Sequence, residues 1–237
     1  PLHALAGLAE LLVTSGDLSN DTAVLADTLL RQIEGLQTVV DDLLDESRLS
    51  MGTLALRSQA VAVRPFIDDV VAMARLGVQD KSLVVAAEVG DGVPPAVMAD
   101  ASRLRQVIGN LMGNAVKFTD IGGVTLRVAA ADGRLRFEIT DTGRGIAAHE
   151  VQAIFEPFTT AANAGSGSGA GLGLAIVRQL VTLMHGSVVA SSSIGLGSTF
   201  TVTLPLVAAP TPQQGGAESL TPARGARVLV VEDNEVN

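Results

Sequence analysis

Five polar side chains, Arg103, Gln106, Asn110, Asn114 and Lys117, recur at spacings of three and four residues, so a helix carries all five on one stripe. Two amides and an ammonium on one face offer neutral oxygen ligands for a hard cation and a positive donor for phosphate oxygens, a combination suited to a magnesium nucleotide. A second candidate is Asp141, which opens the segment Asp141-Thr-Gly-Arg-Gly-Ile146. Leu135, Phe137 and Ile139 alternate ahead of it, so the period of a strand puts Asp141 on the inward face. A carboxylate there needs a donor. The exocyclic amine of a purine is one natural partner, and Gly143 and Gly145 let the main chain turn close to a base. The third candidate is the run from Gly165 to Gly173, seven of whose nine residues are glycine or serine, ahead of a helix starting near Leu174. Such a run exposes main-chain amides to an anion at the positive end of the helix. Taken singly, each feature has an ordinary reading: a solvated helix face, an Asp-Gly turn and a flexible loop. The glycine run is not a Walker motif either, because no Gly-Lys-Ser/Thr follows it. The coincidence of all three in one domain is what points to a phosphate-bearing purine.

These groups need a scaffold, and the apolar pattern supplies one. Leu104, Val107, Ile108, Leu111 and Ala115 hold a helix from Ser102 to Phe118 against a core. Another helix opens at Arg64-Pro65, with Phe66, Ile67, Val70, Val71 and Ala74 inward, and a third runs from Leu174 to Met184. Strands are expected at Leu83 to Val89, Ala96 to Met98, Val124 to Ala130, Leu135 to Thr140, Ser187 to Ser192 and Ser198 to Leu204. Asp132-Gly133 turns one hairpin and Gly195/Gly197 the other. The expected fold class is α+β, a sandwich whose mixed sheet is covered by helices on one face.

Upstream, Leu2, Leu5, Ala9 and Leu12 mark one helix, Ser15 to Asn20 a turn, and Asp21 the cap of a second helix with Leu25, Leu29, Ile33, Leu36, Val40 and Leu43 along its seam. A lone hairpin cannot cover both apolar stripes. A second copy of the chain, giving a four-helix bundle, is the simplest remedy, and packing on the downstream domain is the alternative. From Val207 to Gly225 the composition is that of a linker, and order is expected to resume at Arg227, where Arg227-Val-Leu-Val-Val231 reads as a short strand ending in Glu232-Asp233-Asn234.

Composition excludes several classes. The chain has 237 residues, 47% of them hydrophobic, so it can bury a core. A formal charge of −9 without any Lys/Arg cluster argues against a nucleic-acid surface. There is no cysteine, and His3, His149 and His185 are too few and too scattered for an imidazole metal cluster. No apolar run is long enough to cross a bilayer, and Pro1 follows no initiator methionine, so the sequence reads as an internal fragment expected in the cytoplasm, with any membrane anchor of the parent outside it.

Four motifs carry a family resemblance. Asn110 to Phe118 resembles the asparagine box of sensor histidine kinases, Asp141 to Ile146 their first glycine box, Phe155-Glu-Pro-Phe158 their phenylalanine box, and Gly169 to Leu174 their second glycine box. Gly197-Ser-Thr-Phe200 is similar to the segment near their last strand. The resemblance implies ATP and Mg²⁺ as ligands. It implies that Asn114 ligates the metal, that Asn110 and Lys117 hold phosphates, and that Asp141 takes the adenine amine with Thr199 nearby. By the same resemblance Gly143 and Gly145 border the base, Gly169, Gly171, Leu172 and Gly173 meet the phosphates, and Ala147 to Ala170 form a mobile lid anchored by Phe155 and Phe158. Two departures matter. The lid contains no Lys or Arg, and Asn110 stands where related ATPases such as DNA gyrase carry a water-activating glutamate. An amide is no general base, so phosphoryl transfer to a protein nucleophile is expected over hydrolysis.

That nucleophile is expected upstream. Pro1 to Gly7 resembles the residues just after the family's phosphoacceptor motif, whose histidine lies five positions before the proline, and His3 occupies a position where the family varies. Val228 to Asn237 resembles the first strand of a receiver domain, with Glu232 and Asp233 as helpers of a Mg²⁺ site. The resemblance therefore divides the chain into a dimerisation and phosphotransfer hairpin at 1–58, an ATP-binding domain at 59–206, a linker at 207–225 and the start of a receiver at 226–237. It implies a hybrid histidine kinase that is a homodimer and passes phosphate from ATP to histidine to the aspartate of its own or a separate receiver, with no nucleic acid and no membrane contact in these residues. A nucleotide-binding scaffold of a phosphorelay, favoured by the bare lid, and a hydrolytic ATPase of the same fold are the competing readings.

Overall fold

The computed structural model describes residues 51–78, 81–159 and 171–210, together with 29, 33, 35–37, 39–40 and 43–49. The first helix and turn of the hairpin, residues 160–170 of the lid with Gly169, and the chain from residue 211 onward with the receiver-like strand lie outside the described residues. At the described positions between 29 and 49 the chain is helical, in keeping with the seam of Leu29, Ile33, Leu36, Val40 and Leu43.

In chain order the elements are β1 (Gln59–Ala62), α1 (Val63–Leu76), β2 (Ser82–Val89), β3 (Ala96–Ala99), α2 (Ala101–Lys117), β4 (Ile121–Ala131), β5 (Arg134–Asp141), a 3-10 turn at Ala153–Phe155, α3 (Gly173–Leu183), β6 (Ser187–Ser193) and β7 (Gly197–Pro205). Five strands form one sheet in the order β2-β4-β5-β7-β6. The β2–β4 pair is parallel and the other pairs are antiparallel, so the sheet is mixed. Its two faces follow the strand period. Val85, Val124, Leu126, Val128, Leu135, Phe137, Ile139, Phe200, Val202 and Leu204 are buried beneath the helices, whereas Arg127 and Arg136 on the opposite face are exposed.

The helix α2 is fixed at both ends and along one side. At its start, Asp100 accepts from the Arg103 amide at 3.0 Å through one oxygen and from the Arg57 amide at 2.8 Å through the other. A carboxylate in this capping role contributes about 1 kcal/mol. Along its side, Leu104, Val107, Ile108, Leu111, Met112 and Ala115 are buried. Fully burying a side chain of the size of Leu or Ile contributes roughly 1.5–3 kcal/mol, so this stripe outweighs the cap severalfold. At its end, the Lys81 ammonium donates to the carbonyls of Val116, Lys117 and Thr119 at 3.0 to 3.1 Å, a cation on the negative pole of the helix.

Two features depart from the sequence expectation. The strand β1 pairs antiparallel with β3, from Gln59 opposite Ala99 to Ala62 opposite Ala96. Its four residues are too few for the alternation to register. The assignment of Val207 to a free linker also needs correction at its start: the Met98 amide donates to the Val207 carbonyl at 2.8 Å, the Ala209 amide donates to the Ala96 carbonyl at 3.0 Å, and Ala208 bridges Val97. Small residues without an apolar pattern are held here by main-chain bonds alone, which composition does not reveal.

Candidate functional site

The expected polar stripe of α2 divides in two. At its amino-terminal end, Asp45 of the upstream helical residues accepts from Arg103 Nη1 at 2.8 Å and from Gln106 Nε2 at 2.7 Å, while Arg103 also donates to Gln106 Oε1 at 2.7 Å. Those two side chains are committed to joining the hairpin to the domain. Asn110, Asn114 and Lys117 remain for chemistry. Asn110 Nδ2 donates to the Gly173 carbonyl at 3.4 Å, which brings the amide face of α2 against the first residue of α3. Asn114 is half-buried one turn further along, and Lys117 is exposed at the end. Partial burial, followed by the positive charge of Arg144, holds the Lys117 ammonium below its ordinary pKa.

The start of α3 is suited to an anion. Leu172, at its N-cap, is buried and makes no side-chain capping bond, so among the described residues the start of the helix presents main-chain amides uncapped by that side chain. Gly171 has φ +72°, and a Cβ there would approach the main chain of Phe158 and Thr159 to 2.8–2.9 Å. The end of the phenylalanine box and the start of α3 therefore touch, and only glycine fits between them.

Asp141 ends β5 with 6% exposure. Its Oδ1 accepts from the Gly143 amide at 2.8 Å and from the Ser198 amide at 3.2 Å. Burial raises its pKa, and the bonds from Gly143 and from the Ser198 amide and hydroxyl oppose that rise. A buried carboxylate with two amides on one oxygen can accept from a ligand amine on the other. Gly143 leaves no room for a side chain, since a Cβ would overlap the Phe118 carbonyl and lie 2.8 Å from Thr119 Oγ1. Gly145 is buried against the Ser193 carbonyl.

Thr199 does not lie beside Asp141. It stands opposite Thr140 in the β5–β7 pair, and the two hydroxyls are 3.2 Å apart on the other face of the sheet. The neighbouring Ser198 is the residue that reaches the carboxylate. Its hydroxyl also lies 3.0 Å from Ser192 Oγ, which donates to the Gly197 carbonyl and accepts from the Ile146 amide, both at 2.8 Å. Counting back by twos from the inward Phe200, Val202 and Leu204 finds Ser198, so the signal was in the sequence. Phe155 packs edge-to-face on Phe200 in the core, with centroids 6.3 Å apart. Phe158 does not: it is 69% exposed at φ +61°, where the turn closed by the Thr159 amide on the Glu156 carbonyl throws its ring outward.

Among the described residues, no group of three or more His, Asp or Glu side chains could hold a metal ion. Asn114 alone suits a magnesium ion that takes its remaining ligands from phosphates and water, the usual arrangement when one or two protein groups share the ion with a nucleotide. No helix among the described residues is long and apolar enough to cross a membrane.

Residues 99–208 match the family described as histidine kinase-, DNA gyrase B-, and HSP90-like ATPase, and residues 1–52 match the His Kinase A (phospho-acceptor) domain. The chain is 35% identical over 226 residues to the sensor histidine kinase RcsC of Escherichia coli, covering 94% of this chain and 24% of that protein. It is 33% identical over 243 positions to the aerobic respiration control sensor protein ArcB of Escherichia coli, covering 100% of this chain and 31% of ArcB. Among solved structures, full-length ShkA in complex with AMPPNP superposes with a TM-score of 0.74 at 34% identity, over 88% of this chain and 44% of that one. The chain thus spans less than a third of the length of these curated relatives.

Proposed function

Because the chain belongs to the sensor histidine kinases, joining a phospho-acceptor module to a histidine kinase-type ATPase module, we propose that it binds Mg-ATP and passes the γ-phosphate to a histidine of the phospho-acceptor module. The observation that carries this reading is the contact between Asn110 and Gly173, where an amide-bearing helix face meets the amino terminus of a second helix. Asp141 accepts the adenine amine, with Ser198 and Gly143 orienting its carboxylate. Lys117 and the first amides of α3, with Gly169, Gly171, Leu172 and Gly173 in the loop before them, receive the phosphates. Asn114 supplies an oxygen to Mg²⁺, which when bound neutralises charge on the phosphate oxygens. Asn110 is held by the Gly173 carbonyl and has no basicity to activate water, so the chain favours transfer over hydrolysis.

The proposal extends to assembly and domain limits. Leu29, Leu36 and Leu44 are 51–57% exposed on the helix upstream of the domain, an apolar seam that a second copy would cover in a homodimeric bundle. A receiver domain, in the same protein or separate, is the partner that takes the phosphoryl group onward. The ATP-binding domain runs from residue 59 and includes Val207 to Ala209, with the linker following.

The test is incubation of a form of the protein that includes the acceptor histidine with γ-labelled ATP. Acid-labile, base-stable label on that histidine is expected, and Asn114→Ala is expected to abolish it along with Mg-dependent binding. Nucleotide binding without label would favour the scaffold reading, and release of free phosphate would favour the ATPase reading.

A further inference from the structure

A row of three polar side chains crosses the inner face of the sheet at the end where Asp141 lies. In the strand register Asp141 of β5 stands opposite Ser198 of β7, and Ser198 stands opposite Ser192 of β6, so the period of two brings all three to one face. Ser198 bonds the Asp141 carboxylate with both its amide and its hydroxyl, and that hydroxyl oxygen lies 3.0 Å from Ser192 Oγ. Ser192 Oγ also meets the Gly197 carbonyl and the Ile146 amide, each at 2.8 Å.

The protons can be counted. Two hydroxyl protons serve three oxygen contacts: Ser192 with the Gly197 carbonyl, Ser192 with Ser198, and Ser198 with Asp141. When the carboxylate takes the Ser198 proton, only Ser192 of these two hydroxyls still has one to give. Turning it from the Gly197 carbonyl to Ser198 completes a chain of donors toward Asp141, while the Ile146 amide keeps hold of the Ser192 oxygen. A hydroxyl that receives a bond in this way donates more strongly. Ser192 also sits where two turns are fastened together, since the Gly195 amide donates to the Arg144 carbonyl at 2.8 Å and Gly145 lies against the Ser193 carbonyl.

We propose that Ser192 is a positioning residue for purine recognition: acting through Ser198, it keeps Asp141 aimed as an acceptor for the exocyclic amine of adenine and against the carbonyl that hypoxanthine carries at the same ring position. The proposal rests on the reading of Asp141 as the base contact. A base carbonyl offers the carboxylate a second acceptor and no proton, so donors that support the charged carboxylate discriminate against it.

The experiment is calorimetric titration of Mg-ATP and of its inosine counterpart, Mg-ITP, into the 237-residue chain, its Ser192→Ala, Ser192→Cys and Ser198→Ala variants, and the double variant Ser192→Ala with Ser198→Ala, with melting temperatures recorded alongside. Ser192→Ala is expected to weaken Mg-ATP about fivefold and Mg-ITP less than about twofold, narrowing the preference between them, and to cause no further loss of Mg-ATP affinity once Ser198 is replaced. Ser192→Cys keeps nearly the same shape with a weak donor and is expected to narrow the preference too, which preserves the test should the alanine variant not fold. Equal weakening by Ser192→Ala with and without the Ser198 hydroxyl, or a lower melting temperature with the preference intact, would overturn the proposal by reducing Ser192 to a structural tie. Equal binding of both nucleotides by the unaltered chain would overturn the reading of Asp141 as the base contact, and this inference with it.

Discussion

Asp45 and Arg103 form an ion pair at 2.8 Å between the upstream helix and α2, with both side chains largely withdrawn from solvent at 14% and 22% exposure. The same aspartate oxygen accepts from Gln106, so three side chains close on one another. The helix that presents Asn110 and Asn114 to the cleft is therefore gripped, two turns earlier, by the module carrying the phospho-acceptor domain.

Removal of Asp45 leaves a guanidinium and an amide without their shared acceptor. Asp45→Ala is expected to destabilise the chain by about 1–3 kcal/mol in urea unfolding. A double-mutant cycle with Arg103→Ala should return a coupling of about 1–2 kcal/mol, whereas Mg-ATP affinity stays within about twofold. A coupling near zero would show that the pair holds nothing.

Asp141 sets stability against binding. Its folded pKa is raised, chiefly by burial, so the carboxyl favours folding when protonated and loses that contribution as pH rises through the folded pKa. Asp141→Asn keeps an oxygen for the Gly143 and Ser198 amides and is expected to melt higher than the unaltered chain at neutral pH, the gap closing as pH falls through the raised pKa. Adenosine binding should be lost in the variant. In the unaltered chain it should weaken over the same fall in pH, since a protonated carboxyl is a poorer acceptor for an amine. Melting curves and titrations across pH 4–8, roughly the span of carboxylates shifted upward, check both signs.

Neighbouring hydroxyls on β7 face opposite ways, and their variants should separate. Ser198→Ala removes the hydroxyl beside Asp141 and is expected to weaken Mg-ATP by roughly five- to tenfold, the worth of one typical hydrogen bond. Thr199→Ala loses only the cross-strand contact with Thr140, about 0.2–1 kcal/mol of stability, with affinity unchanged. The reverse order of effects on affinity would restore Thr199 to the site.

Gly145 has φ +70° and no space for a methyl group beside the Ser193 carbonyl. Gly145→Ala combines a left-handed alanine with overpacking and is expected to cost about 2–5 kcal/mol, measured by urea unfolding. Because this turn borders Asp141, Mg-ATP affinity should fall with it.

Period and spacing made much of this legible. The core stripe of α2, the inward Asp141 and the mixed sheet under one layer of helices all follow from apolar residues recurring at 3.6 or at two. The split of the polar stripe was not legible, because Arg103 and Gln106 look like Asn110 until a residue 58 positions away from Arg103 is brought beside them. The approach of Arg144 to Lys117 is hidden for the same reason, as a turn and a helix end meet only through the fold. Thr199 is a different case. The family motif drew attention to its hydroxyl, while the alternation that had correctly placed Asp141 already assigned Ser198 to the inner face. Phe158 shows the limit of reading aromatic residues as anchors, for its exposure is set by the backbone of one turn.

The short strand β3 has β1 on one side and Ala208 on the other, both meeting it at Val97. Residues arriving from the phospho-acceptor module and residues departing after the ATPase module are therefore stitched to the same four-residue strip, about 10 Å apart by two interstrand spacings. Both tethers leave from one corner. The entering and leaving ends of the ATPase module are fastened at a single strip, so a change that breaks the pairing of β3 would release both together.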